Sequence, residues 1–305
     1  MKLLRKLLWY AVGLGALVAL AGVAFWARPV SFFQQLTHLQ MCIAGVESRS
    51  IAVAGHRIHY YAEGPAGGPA VVLVHGLGGS ADDWRELAPW FAKAGFRVYM
   101  PDLLGYGRSQ QPEDFSYSVP DEASAVVGFF DALGLKQVDL CGWSMGGWIV
   151  QRIAAGHPER VRHLILFDSA GIYEPPSWDT ALFTPRTPEE LDQLDALLMP
   201  DPPKVPGFIA RDILRLSAKN AWVIHRALGT MLSGKDVTDA LLPDLKMPVL
   251  IVWGAKDHIT PLDEGERIHV LIPQSQLLVI PGCGHLLPRQ CVPQIGSKVI
   301  EFVKQ

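Results

Sequence analysis

The chain has 305 residues, 49% of them hydrophobic and 19% charged, with a formal net charge of −3 at pH 7. A chain of this length and composition can bury one large core and still hold an inserted subdomain. Its small negative charge, with neither a basic stripe nor an interleaved aromatic platform, argues against a nucleic-acid partner.

The first 27 residues are apolar apart from a basic start. No charged side chain occurs from Leu7 to Ala27, and at about 1.5 Å per residue a helix of that length crosses a hydrocarbon core of roughly 30 Å. Aromatic residues lie near both of its ends, as is typical of membrane interfaces. We predict an uncleaved single-pass membrane anchor over residues 1–27, with the remaining chain outside the cytoplasm, which in a Gram-negative bacterium is the periplasm.

The end of the apolar segment and the connector after it each allow two interpretations. The stretch Ala19-Leu20-Ala21 resembles a cleavage site, so a cleaved signal peptide and a secreted protein are the alternative to the anchor. Residues 28–50 form a connector without a clear long period. It is either a short helix near the membrane surface or a segment packed against the following domain. Its apolar side chains are Phe32, Phe33, Leu36 and Leu39.

From Ile51 onward, short β-rich runs alternate with longer helical stretches. This alternation is typical of a mostly parallel sheet with helices on both faces, and we predict an α/β fold with eight strands, opened by an antiparallel hairpin. The predicted strands are 51–54, 57–63, 70–74, 97–103, an apolar run from Val138, 162–167, 248–254 and 276–280. The predicted helices are 82–94, 121–133, one after the run from Val138, and 292–303.

The alternation stops between about Ile172 and Leu245. This stretch contains many prolines and no strand-like run, and several of its apolar residues recur at helical spacing. They include Leu191, Leu194, Leu197 and Leu198, and then Ile209, Ile213 and Leu216. We therefore predict a helical cap over residues 172–245, inserted into a core formed by residues 51–171 and 246–305.

The residues around Ser144 indicate a strand, a sharp turn and a helix in immediate succession. A serine at such a corner adopts a strained backbone, and Gly142 and Gly146 leave room where a Cβ would collide with the neighbouring chain. The Met145 N–H lies in the first helical turn without an intrahelical acceptor, so it can face a developing oxyanion. A lone G-x-S-x-G motif is weak, but the flanking strand and helix favour Ser144 as a nucleophile and Met145 as an oxyanion donor.

A glycine-rich loop, His75-Gly76-Leu77-Gly78-Gly79, follows the strand over 70–74. Ligands of open α/β sheets bind beyond the carboxyl ends of the strands, so this loop is well placed. Gly76 lets the backbone approach a substrate, and we predict the Leu77 N–H as the second oxyanion donor. A phosphate cradle is less favoured because the loop lacks the P-loop lysine. We expect His75 to shape the loop through hydrogen bonds.

A serine hydroxyl needs an imidazole to take its proton and a carboxylate to orient that imidazole. Only His258 and His285 follow the serine on carboxyl-end loops, and His258 adjoins the best candidate acid, so we predict His285 as the base. Asp257 is the predicted acid, with Asp168, which ends a strand on the same edge, as the alternative. The order Ser144, Asp257, His285 is that of the α/β-hydrolase triad.

Together these motifs resemble the α/β-hydrolase superfamily over about residues 51 to 304. The matching stretches are His75 to Gly79, Asp102 to Ser109, Gly142 to Gly147, Asp168 to Gly171, Trp253 to Asp257 and Gly284-His285. With the N-terminal segment and the prolines at 202, 203 and 206, the chain resembles membrane-anchored monoacylglycerol lipases and related bacterial lipases. The resemblance implies hydrolysis of lipid-like carboxylic esters through an acyl-enzyme, without a metal or cofactor. Trp143 is larger than the polar residue often found at its position in those lipases, and its bulk could narrow the acyl channel.

Two other functions stay open. A carbon–carbon hydrolase of ring-cleavage products would use the same triad, and a non-catalytic binding protein could retain the fold. Dehalogenases and epoxide hydrolases are disfavoured, because they place an aspartate where Ser144 stands.

Cys141 is expected to be a buried small hydrophobe. Cys283 and Cys291 flank the histidine loop and could pair, but we expect free thiols.

Overall fold

An eight-stranded sheet forms the core of the computed structural model, which describes residues 2–305. The strands are β1 (Glu47–Val53), β2 (His56–Glu63), β3 (Ala70–Val74), β4 (Arg97–Pro101), β5 (Val138–Trp143), β6 (Val161–Phe167), β7 (Val249–Gly254) and β8 (Gln276–Ile280). Their spatial order is β1-β2-β4-β3-β5-β6-β7-β8. The pairs β1–β2 and β2–β4 are antiparallel and the other neighbours are parallel. The predicted mostly parallel eight-stranded fold is confirmed.

Helices cover both faces of the sheet. The helices within residues 2–305 are α1 (Lys2–Ala27), α2 (Pro29–Ile43), α3 (Ala88–Lys93), α4 (Val119–Leu133), α5 (Met145–Gly156), α6 (Pro188–Leu198), α7 (Gly207–Met231), α8 (Leu262–Leu271), α9 (Leu287–Gln290) and α10 (Val292–Val303). Strand β3 shows how the core divides, because successive side chains point to opposite faces. Val72 and Val74 belong to the cluster that holds residues of α4 and α5, whereas Val71 and Leu73 pack with residues of α3 and α10.

Two predicted strands have clearly different bounds in the structure. The opening strand begins at Glu47 rather than at Ile51, because Glu47 already pairs with Ala62. The strand predicted over 97–103 ends at Pro101, and the chain turns where the Asp102 N–H donates to the His59 carbonyl.

The helix predicted over 82–94 is broken into two pieces. A short 3₁₀ turn covers Ala81–Trp84, and α3 begins only at Ala88. The Asp83 carboxylate accepts the Ser80 N–H at the first turn, which fixes its start. Pro89 lies in the first turn of α3, where its missing N–H costs nothing.

The segment between β6 and β7 contains no strand among the described residues. It holds a short 3₁₀ turn at Thr180–Phe183 and the helices α6 and α7. Helix α6 begins where the Thr187 side chain accepts the Glu190 N–H, with Pro188 as its first residue. Val223 and Ala227 of α7 are buried against the same core cluster as Trp148 of α5. Helix α7 therefore packs against the core beside α5.

The N-terminal part forms two consecutive helices. Residues Arg5–Ala27 of α1 are long and apolar enough to cross a membrane, with a mean hydropathy of 2.1, and their span is not buried against the protein. The connector forms α2, which is held to the domain by polar contacts. The Val30 N–H donates to the Asp212 carboxylate of α7 (3.0 Å), and the His38 ring hydrogen-bonds the Tyr61 hydroxyl (2.8 Å). The connector is thus a short helix that packs against the domain, and its position near a membrane surface stays a prediction.

Candidate active site

Ser144 lies at a sharp turn between β5 and α5. Its backbone has φ 56° and ψ −122°, a positive φ that few residues other than glycine adopt. The turn is held by neighbouring strands, since the Ser144 N–H donates to the Phe167 carbonyl (3.0 Å) and the Ala170 N–H donates to the Ser144 carbonyl (3.2 Å). The surrounding sheet thus compensates for the strain.

Three glycines make room for this turn. A Cβ at Gly146 would overlap the backbone oxygens of Val74 and His75, and one at Gly142 would overlap the Gly146 carbonyl. A Cβ at Gly76 would lie 3.1 Å from the Ser144 Cβ and 3.6 Å from its Oγ. Any larger residue at these positions would displace the serine or the loop that faces it.

His285 and Asp257 meet at the carboxyl edge of the sheet, on the loops that follow β8 and β7. The His285 Nδ1 lies 2.7 Å from the Asp257 Oδ2, and both side chains are buried. The same carboxylate accepts the N–H groups of Ile259 (2.8 Å) and Thr260 (3.0 Å) and the Thr260 hydroxyl (2.9 Å). Four donors therefore hold the Asp257 carboxyl group in place, where it can orient the His285 ring and stabilise a positive charge that forms on it.

The His285 loop is attached to the residue that precedes Ser144. The Trp143 indole donates to the His285 carbonyl (2.7 Å), and the two ring centroids are 5.6 Å apart. Within residues 2–305, the hydrogen bonds of the His285 ring all use Nδ1 and none reaches the Ser144 hydroxyl. The Nε2 atom is therefore unengaged, and such catalytic hydrogen bonds are often long before a substrate binds.

Trp143 does not narrow an acyl channel. Its side chain points to the sheet face that carries α10, in the cluster with Cys283 and Leu286, and it does not line the cavity at Ser144. The reason is the alternation of β5, which turns Trp143 away from the cavity. The expected narrowing was wrong, and Trp143 supports the His285 loop instead.

Asp168, the alternative acid, has different surroundings. Its Oδ1 accepts the Gly254 N–H (2.7 Å), but its Oδ2 is buried without a partner among the described residues. Burial, followed by the nearby charge of Asp257, raises the pKa of Asp168 well above its usual range. The structure brings Asp257, and not Asp168, into contact with the His285 ring.

Two backbone N–H groups beside Ser144 have no acceptor among the described residues. One belongs to Met145, the first residue of α5, where helix geometry leaves the donor free. The other belongs to Leu77, which lines the same cavity as Ser144. These are the two donors that the sequence predicts for an oxyanion.

The loop that carries Leu77 is fixed by His75. The His75 Nε2 accepts the Leu103 N–H (3.0 Å), so its Nδ1 can donate to the Gly76 carbonyl (2.8 Å). The nearby Asp102 carboxyl group is buried, and burial by itself raises its pKa. Hydrogen bonds from His59, Ala81 and Arg108 have the larger effect and lower the pKa. The histidine shapes the loop, as expected.

Ser144 opens into a cavity of about 390 Å³ between the sheet edge and the segment that follows β6. Its wall is mostly apolar and includes Trp148, Ile172, Trp178, Phe183, Leu228 and Met231. The lining also includes two carboxyl groups, those of Glu174 and Glu264, and it contains no basic side chain. Burial, then the charge of Asp257, raises the pKa of Glu264 to about 8. The cavity suits a largely apolar, uncharged ligand.

Sequence reasoning missed Thr260, Glu264 and the state of two cysteines. Thr260 and Glu264 carry no motif, and only the turn of the chain after Asp257 brings them to the site. Cys283 and Cys291 form a disulfide, with Cα atoms 6.4 Å apart. The expectation of free thiols was wrong, because the helical turn of α9 returns the chain toward Cys283.

Comparison with known proteins agrees with this geometry. A family model described as the alpha/beta hydrolase fold matches residues 69–222 and 232–288. Lipase 3 of Moraxella sp. (strain TA144) is 27% identical over 295 residues, which cover 90% of this chain and 91% of that lipase.

Two further relatives differ in their named activities. The 2-hydroxymuconate semialdehyde hydrolase of Pseudomonas sp. (strain CF600) is 31% identical over 270 residues, covering 84% of this chain and 94% of the hydrolase. A solved bacterial membrane phospholipase A superimposes with a TM-score of 0.81 at 25% identity and covers 97% of both chains. The similarities thus extend along nearly the whole chain.

Proposed function

The chain belongs to the alpha/beta hydrolase fold family and is a hydrolase, and we propose that it cleaves carboxylic esters through an acyl-enzyme on Ser144. His285 takes the Ser144 proton as the hydroxyl attacks the ester carbonyl, and then returns a proton to the leaving alcohol. Asp257 holds the imidazole and stabilises its charge. Water activated by His285 then releases the acid.

The N–H groups of Leu77 and Met145 stabilise the oxyanion in both steps. Removal of one such donor typically costs on the order of 10²- to 10³-fold in kcat. The observation that best supports the proposal is the shared cavity: Ser144 and Leu77 line it, and Thr260, which also lines it, hydrogen-bonds Asp257.

The preferred substrates are lipid-like esters, with monoacylglycerols as the best single candidate. The mostly apolar cavity suits an acyl chain, and lipase 3 and the membrane phospholipase A are named for lipid substrates. The test is a panel of acylglycerols and p-nitrophenyl esters of increasing chain length. Hydrolysis of monoacylglycerols by the wild type, and its loss in Ser144→Ala, is expected. Activity on water-soluble short-chain esters alone would contradict the lipid assignment.

A carbon–carbon hydrolase is the second candidate, because the 2-hydroxymuconate semialdehyde hydrolase is the more identical relative. The dienoic acids that such enzymes cleave are ionised at neutral pH. The cavity offers Glu174 and Glu264 but no basic side chain in its lining, so it favours uncharged esters. Cleavage of a ring-cleavage dienoic acid without esterase activity would reverse this choice.

We also propose that α1 anchors the protein to a membrane, with the catalytic part on the non-cytoplasmic side. The apolar helix supports an anchor, and the Cys283–Cys291 disulfide fits an oxidising compartment. A cleaved signal peptide is the alternative. Carbonate extraction combined with N-terminal sequencing separates them: an anchor leaves the intact chain in the membrane fraction, and a signal peptide leaves a shortened soluble chain.

A further inference from the structure

Glu264 is a buried carboxyl group that the acyl-enzyme mechanism does not use. It lies in the first turn of α8, and only 5% of the residue is exposed. Its side chain lines the cavity into which Ser144 opens. Within residues 2–305, no hydrogen bond reaches its carboxyl group, in contrast to Asp257, which accepts four. A polar group without a hydrogen-bond partner that faces a cavity is suited to bind a ligand there.

Burial and the charges around Glu264 favour its neutral form near pH 7. Burial raises its pKa to about 8, and the charges of Asp257, Glu174 and Asp263 act in the same direction. Arg267 opposes them, but its guanidinium is paired with Glu174 (2.5 Å) and lies 3.9 Å from Asp239. The protonated group has both a donor and an acceptor, whereas the ionised group only accepts.

We propose that Glu264 is a specificity-determining residue, whose carboxyl group hydrogen-bonds a neutral, hydroxyl-bearing part of the ester substrate and disfavours substrates that carry a carboxylate. This inference rests on the proposed esterase function of the same cavity. A hydroxyl group both donates and accepts, and therefore matches the protonated carboxyl. A substrate carboxylate would lose its hydration in this cavity, whose lining residues supply no cation.

A matched pair of substrates tests the hydroxyl contact. Glycerol 1-butyrate and propyl butyrate share the acyl group and differ in two hydroxyls on the leaving alcohol. The ratio of their kcat/KM values is expected to fall about 5- to 10-fold in Glu264→Leu, the loss expected for one net hydrogen bond. The Glu264→Gln variant keeps a neutral donor and acceptor and should retain the wild-type ratio at pH 7.

The pH profile tests the charge. For 2-carboxyethyl butyrate against propyl butyrate, a pair that differs by a carboxylate on the alcohol part, the wild-type kcat/KM ratio should fall several-fold between pH 7 and pH 9, as Glu264 ionises and repels the substrate carboxylate. The Glu264→Gln ratio should stay flat over that range. A residue that only supports the fold would not change these ratios.

The outcomes distinguish failure of the role of Glu264 from failure of the proposed esterase function. An unchanged glycerol 1-butyrate preference in a folded Glu264→Leu, or parallel pH profiles of wild type and Glu264→Gln, would overturn the role of Glu264 while leaving the esterase intact. Failure of the wild type to hydrolyse any of these esters or any longer-chain monoacylglycerol, or activity retained in Ser144→Ala, would overturn the proposed function itself.

Discussion

The loops after β6 and β7 leave neighbouring parallel strands at the same edge of the sheet, and each holds a buried aspartate. Asp257, after β7, accepts four hydrogen bonds, one of them from His285. Asp168, after β6, accepts one from the Gly254 N–H, and its other oxygen has no partner among residues 2–305. The comparison indicates that the surrounding donors, and not position on the sheet edge alone, distinguish the carboxyl group that contacts His285 from the one that does not.

Replacement of each aspartate with asparagine should give the largest difference in activity between the two loops. Asp257→Asn removes the charge behind His285 and favours the wrong tautomer, so kcat/KM should fall on the order of 10³- to 10⁴-fold. Asp168→Asn keeps the oxygen that accepts the Gly254 N–H and should change kcat/KM only a few-fold. The measurement is steady-state hydrolysis of 4-nitrophenyl butyrate. Equal losses in both variants, each with a native melting transition, would remove the distinction.

The disulfide restrains the loop that brings His285 to Asp257, and no counterpart exists on the described Asp168 loop. The double variant Cys283→Ser, Cys291→Ser should lose about 2 to 3 kcal/mol of unfolding free energy, because a cross-link over a short loop restricts the unfolded chain. Chemical denaturation measures the loss, with Cys42→Ser as control because Cys42 is an exposed free thiol. Unchanged stability in the double variant would show that the bond does not restrain the fold.

Thr260 connects the two loops, because its hydroxyl lies 2.9 Å from the Asp257 Oδ2 and 3.1 Å from the Asp168 carbonyl. Thr260→Val removes one of the donors that distinguish Asp257, and kcat should fall about 10-fold, the loss expected for one hydrogen bond to a charged group. Thr260→Ser keeps the hydroxyl and should stay near the wild type. If valine and serine reduce kcat equally, the hydroxyl does not act through Asp257.

Stability at different pH values should show the smallest effect. The folded pKa of Asp168 is raised by burial and by Asp257, so above the unfolded pKa the native state binds a proton that the unfolded state has released. The stability of the wild type therefore falls as pH rises through this window. Asp168→Asn cannot titrate, so its Tm relative to the wild type should be higher at pH 8 than at pH 5. A constant Tm difference would mean that Asp168 is ionised in the native protein.

The sequence was sufficient for the features that depend on local pattern. Apolar runs between glycine-rich turns located the strands, and Gly142 and Gly146 indicated the turn at Ser144 because a Cβ there would meet neighbouring backbone. The parallel arrangement places the ends of β5, β7 and β8 at one edge, so three distant residues could be predicted to lie together. The roles predicted for Ser144, Asp257 and His285 stay predictions until variants are measured.

Features that depend on contacts between distant segments could not be predicted. The sequence favours Asp257 over Asp168 as the acid, but no spacing reveals the donors that surround each carboxyl group. Trp143 precedes the serine in the motif, but its side chain faces the opposite side of the sheet and supports His285 through the main chain. Glu264 has no motif, and its burial comes from the packing of α8 beside the cavity.

The central claim is that Ser144 is a nucleophile activated by His285 and Asp257. The most direct measurement is labelling of the full-length protein with a fluorophosphonate, followed by peptide mass spectrometry. One adduct on Ser144 is expected, absent in Ser144→Ala and formed far more slowly in His285→Ala and Asp257→Asn than in Asp168→Asn. No adduct on Ser144 in the folded wild type, or equal labelling rates in all the variants that keep the serine, would contradict the account.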